Sequence, residues 1–309
     1  MDLNTEQLLH IAFDGAAVDE IAVPTRLWDR VLGASVGSGR PSQHEGWKNS
    51  ADASLSSLQA YISTAAELAE LLEALAPDDW ASRTPVEGVH VRALVEHLVA
   101  VERYVLGQLG RRPPLEAPRR EDHWTLATAL AGDMCSESDS FVARSWWSEV
   151  LGVVAASGTL GPGHAVSYHH LSGSLRGLLV VRTFELWTHG DDIRQATGRP
   201  LNLLDEDRLS LMVNQLMRVL PLGLALTDSS QPGRTARFHL TGTGGGSFDV
   251  PLAVGEVAGE PDLTLTAAVL DLCRLAAGRL PPEALDVLVE GDGALLESIL
   301  AGASAFAAD

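Results

Sequence analysis

Apolar residues recur at helical spacing through most of the first two thirds of the chain, and at strand spacing only after residue 200. Residues 54–75 read as one helix, stopped by Pro77. Residues 90–109 read as a second, with the apolar seam Val91, Leu94, Leu98, Val101 and Val105, ending before Gly110 and Pro113-Pro114. Arg92, Glu96 and Arg103 are expected to point to water. A third helical element is expected over 122–156, rich in Trp124, Trp146 and Trp147, with a break near 136–140. A Gly-rich connection over 158–173 carries His164, His169 and His170, which suit pocket-lining or surface roles. A fourth helix is expected over 174–197. Ahead of all these, 5–19 and 24–35 read as short helices before a loop over 37–46.

After Gly198-Arg-Pro200 the period changes. A helix is expected over 206–220, strands over 236–241, 247–253, 262–266 and 285–290, and helices over 267–277 and 293–306. The order predicts an α+β chain: an arm of helices over 1–50, a helical bundle over 51–200 and a mixed domain over 201–309. The Gly242–Gly246 run joins two strands, so it is not a dinucleotide fingerprint.

The fourth helix carries the chemistry. Leu175, Leu179, Val180, Phe184, Leu186 and Trp187 cover most of its circumference, while Arg182, Glu185, His189 and Asp192 form one polar stripe. A helix apolar nearly all round is normally buried, so the stripe is expected to face a pocket or a core. Glu185 and His189 stand four residues apart, roughly 6 Å between Cβ atoms, within reach of one cation. The bland alternative is a weak side-chain pair on a helix surface. A zinc site needs at least a third ligand, and His97, at the edge of the seam of the second helix, is the candidate.

Composition narrows the partners. Forty-one acidic against 22 basic residues give a net charge of −19, which opposes nucleic acid and anionic membranes. No uninterrupted apolar run reaches the ~18 residues needed to span a bilayer, and the start Met-Asp-Leu-Asn-Thr-Glu lacks a basic signal-peptide region. A cytoplasmic location is expected. Cys135 and Cys273 are too few and too far apart for a disulfide framework, and each suits a small buried hydrophobe; a reactive thiol would then arrive with a cofactor.

The segments "TPVEGVHVRALVEHLVAVE" and "VRTFELWTHGDDIRQATGRP" resemble the two hallmark helices of the mycothiol-dependent maleylpyruvate isomerase family, within the DinB-like metalloenzymes. The resemblance implies a DinB-like four-helix bundle holding one divalent metal, usually zinc (Zn2+), through His97, Glu185 and His189. The segment "GEPDLTLTAAVLDLCRLAAGRLPPEALDVLVEGDGALLESIL" is similar to the sterol-carrier-like α+β domain that many members append. The family usually has a Trp where this chain has His90, and residues 1–50 have no counterpart in its core.

What the resemblance implies about activity is an enzyme using the low-molecular-weight thiol mycothiol at the metal. The thiol adds to a small-molecule electrophile, giving either stable transfer or, for a cis-enoyl diacid, isomerisation; transfer is the first expectation and isomerisation the second. A degenerate scaffold that only binds a small molecule or a partner is the non-enzymatic alternative. Arg182 suits a substrate or cofactor carboxylate, or a structural pairing with Glu185 or Asp192. Asp192 suits an acceptor for a ligand imidazole, or pairing with Arg194 or Arg182. Arg279 suits a cofactor contact, or a surface salt bridge.

Overall fold

The computed structural model describes residues 55–112, 134, 136–168 and 171–305. The expected helices at 5–19 and 24–35, the loop at 37–46, and Trp124, Cys135, His169 and His170 lie outside the described residues, as does the start of the third element. The chain divides into two compact units. One contains Ser56–Leu178 and Asp192–Pro200, the other Leu179–Asp191 and the residues from Leu201 onward.

The first unit is helical. Helix α1 (Ser57–Glu73) starts at a capping box, in which the Ser56 hydroxyl accepts from Gln59 N–H while the Gln59 side chain accepts from Ser56 N–H. A short 3-10 turn, Pro77–Ala81, buries Trp80. Helix α2 (Val91–Gln108) then begins at His90, whose side chain makes no cap bond; its Nδ1 lies 2.8 Å from the Ala81 carbonyl instead. His90 therefore ties down the start of α2.

Helix α3 (Asp139–Leu160) is capped by Ser138 and packs along α2 and against α1. The break expected near 136–140 is where this helix starts. All five seam residues of α2 are buried, and of the flank expected to face water Glu96 is buried while Arg92 and Arg103 are only partly exposed. Glu96 is only 6% exposed and is bound by Arg92 Nε at 3.0 Å. Arg92 also reaches Asp139 at 2.6 Å and the Met134 carbonyl at 2.8 Å. Arg103 and Arg112 converge on buried Glu149, at 2.9 and 2.7 Å. Polar side chains on α2 thus clamp α3, because α3 covers a wider arc of α2 than its apolar stripe alone.

The connection at 158–173, read as a loop, is not all loop. α3 runs on to Leu160, and an antiparallel hairpin follows, β1 (Ala165–Tyr168) with β2 (Leu171–Ser174). The hairpin ends at Ser174, whose hydroxyl accepts from Gly177 N–H and caps helix α4 (Leu175–Ala196). Beyond α4, Arg199 bonds the Ala74 carbonyl and Asp79, fastening the chain to the end of α1.

The second unit builds its core on a four-stranded sheet in the order β4-β3-β5-β6: β3 (Thr235–Thr241), β4 (Gly246–Pro251), β5 (Leu263–Ala268) and β6 (Val287–Gly291). β3 and β5 are parallel; the other pairs are antiparallel. Alternate residues of β3 and β5 (Ala236, Phe238, Leu240; Leu263, Leu265, Ala267) face the core. Helices α5 (Glu206–Leu226), α6 (Val269–Ala276) and α7 (Leu296–Ser304) complete that unit. α5 extends past its expected end at 220, straight through Pro221. It is also long and apolar enough to cross a membrane, but its Val213, Leu216, Met217, Leu220 and Leu224 belong to the core, the ordinary position of such a helix in a globular unit. The observed architecture is α+β, as expected.

Candidate functional site

His97 lies at the middle of α2, and Glu185 and His189 lie one turn apart on α4. One ligand atom from each of the three falls within 4.8 Å of the other two. Both imidazoles are 1% exposed, whereas the Glu185 side chain keeps 20% of its surface. Glu185 is held from its N-terminal side, where Arg182, three residues earlier and fully buried, places Nη1 on Oε2. The other carboxylate oxygen lies 4.0 Å from His189 Nε2. One oxygen is therefore committed to the guanidinium and the other is turned toward the imidazole.

Two other polar groups of α4 are satisfied within the helix itself. Thr183 and Thr188 donate to the Leu179 and Phe184 carbonyls one turn back, at 2.8 and 2.9 Å, which satisfies both buried hydroxyls within the helix. Phe184 and Trp187 stack edge to face at 5.8 Å. Asp192, one turn beyond His189, is 2% exposed. Asp191 accepts from Asn202 N–H at 2.7 Å, a role nothing in the pattern had singled out.

Two neutral imidazoles and one carboxylate form a donor set of the kind that holds zinc or a similar divalent ion while leaving coordination positions open. Three donors so close, with both imidazoles out of water, fit a metal. Arg279 sits after α6, donating to the Ala277 carbonyl at 2.9 Å. His164 contributes backbone bonds at the base of the hairpin. Cys273 is fully buried in α6, and burial pushes its thiol up to about 12. A thiol so protonated is no nucleophile at neutral pH.

Residues 63–194 match the family model described as "Mycothiol maleylpyruvate isomerase N-terminal domain". Among solved structures, a mycothiol-dependent maleylpyruvate isomerase is similar at 14% identity and a TM-score of 0.52, with 75% of this chain and 91% of that chain covered. A histidine-to-alanine mutant of such an isomerase is similar at 13% identity and a TM-score of 0.53, with the same coverage. At these identities the solved structures speak for the fold. No curated protein sequence matches. The family resembled in the sequence is the one whose N-terminal domain model matches residues 63–194, and the solved structures share the fold.

Proposed function

We infer, taking residues 63–194 as a mycothiol maleylpyruvate isomerase N-terminal domain, that this chain is a cytoplasmic enzyme bringing a low-molecular-weight thiol, mycothiol, to an electrophilic small molecule. The observation that carries this reading is the approach of His97, Glu185 and His189 within 4.8 Å. These three residues would hold a divalent ion, zinc by the nature of the donors. Bound there, the ion would supply Lewis acidity, lowering the pKa of a thiol toward neutrality.

The chain's own part is positioning. Arg182 fixes the Glu185 carboxylate, and the near-complete burial of His97 and His189 keeps water from competing for their ring nitrogens. Asp192 is proposed to orient a ligand imidazole. Arg279 is proposed to contact the thiol cofactor. The described cysteine is inert, so the reactive sulfur comes from outside the described residues. Transfer of the thiol is the first reading. Isomerisation is the second, favoured by the similarity to a maleylpyruvate isomerase domain and to solved maleylpyruvate isomerases.

The test is metal content after purification without chelators, for wild type, His97→Ala and Glu185→Ala, followed by mycothiol titration. About one divalent ion per chain is expected in wild type, lost in both variants and required for thiol binding. A wild type that neither carries nor takes up metal overturns the enzyme reading and leaves a small-molecule-binding scaffold. With a substrate in hand, the thiol is consumed in proportion to product if the reaction is transfer, and returned if it is isomerisation.

A further inference from the structure

The first unit contains a cavity of about 350 Å³ to which none of the three candidate ligands contributes. It lies where the end of α1, the Pro77–Ala81 turn and the start of α3 meet, and Leu72, Trp80, Ala143, Arg144, Trp146 and Trp147 line it. The volume is at the small end of the range, ~300–1,000 Å³, that takes small molecules. Three of the chain's seven tryptophans line this one cavity, which makes its walls flat, polarizable and apolar.

Two buried donors have no acceptor among the described residues: the indole N–H of Trp146 and Nε of Arg144. Trp146 is fully buried, so its N–H has no access to bulk water. A buried donor without an acceptor is unfavourable, and two of them along one cavity are suited to an oxygen-bearing ligand. The acidic residue of the lining, Glu73, is exposed, so solvent screens its repulsion of an anion more than it screens the buried donors.

We propose that this cavity is a second ligand site, selective for a compact aromatic carboxylate whose ring packs on the tryptophans and whose oxygens accept from Trp146 and Arg144. The site is separate from the three candidate metal ligands. It is tested on the full chain carrying nitrogen-labelled tryptophan, by titrating 4-phenylbutyrate and, in parallel, 4-phenylbutanol while following the indole N–H resonances.

The carboxylate is expected to shift, saturably, the resonance that Trp146→Phe removes, and to bind at least about tenfold more tightly than the alcohol. Arg144→Met is expected to weaken it by about tenfold or more. Ala143→Leu, which fills the cavity from a half-buried position, is expected to abolish the shift even if Trp146→Phe folds poorly. Binding is expected to persist in chelator and in Glu185→Ala, which separates this site from the metal site. No saturable shift at millimolar probe, equal binding of acid and alcohol, or undiminished binding by Arg144→Met overturns the proposal.

Discussion

At the scale of single residues, Arg182 and Glu185 form a direct ion pair in the site. Removing the guanidinium leaves a carboxylate that only partly reaches water, so Arg182→Met is expected to cost about 3 kcal/mol, the lower end for breaking a buried pair. Urea denaturation measures it. Asp192→Asn tests orientation of a ligand imidazole: metal affinity is expected to fall by about tenfold or more, measured by competition with a chromophoric chelator. Unchanged affinity would leave Asp192 a purely structural role. Glu96 carries a pH signature. Burial raises its pKa above the ordinary 4.5, with Arg92 pulling the other way. A raised folded-state pKa means that the native state holds the proton more tightly than the unfolded chain, so this contribution is full below 4.5 and is lost as pH rises through the raised value. Wild type is therefore expected to lose stability relative to Glu96→Gln as pH climbs just above 4.5, and a parallel pair of pH profiles would contradict the assignment. The reading of Glu96 as water-facing failed because a charged residue beside an apolar seam looks exposed unless the covering helix is known. Asp139, the other carboxylate that its partner Arg92 holds, is 43 positions from Glu96 in sequence, and no local pattern contains that arrangement.

At the scale of elements, periodicity located α1, α2, α4 and the strands within a few residues, since each is a long or strongly alternating segment with a legible cap or stop. It missed the hairpin β1–β2, whose four-residue strands contain Ser and Gly and leave too little alternation to read. It also stopped α5 at Pro221. Proline inside a helix costs ~3 kcal/mol, which local reasoning takes as decisive. Beyond it, Leu224 is completely buried, worth about 1.5–3 kcal/mol, and the helix continues because packing repays the loss. The same contact has a counterpart on α7, where a Cβ added to Gly302 would come within 2.7 Å of Leu224 Cγ and 3.0 Å of its backbone N. Gly302→Val is accordingly expected to destabilise the protein by about 1–3 kcal/mol, readable as a lowered midpoint in thermal or urea unfolding.

At the scale of the whole molecule, a ligand that binds only the native state stabilises it by mass action. Metal at about 100 times its Kd is expected to add about 2.7 kcal/mol, and thermal unfolding with and without chelator measures the difference. His97→Ala is expected to lose that difference. The sequence by itself determined the chain's charge, the helical period before residue 200 and the strand period after it, and the polar stripe on an otherwise apolar α4, because each is a property of neighbouring residues along one element. The four-residue spacing of Glu185 and His189 on a common face was fixed in the same way, by helix geometry alone. Only the tertiary structure decided that His97, 88 positions before Glu185, comes within a metal's reach of both, that α3 covers the polar flank of α2, and that Trp80 joins Trp146 and Trp147 around one cavity. Such proximities depend on how elements pack, and a local pattern constrains which face is buried without specifying what meets it.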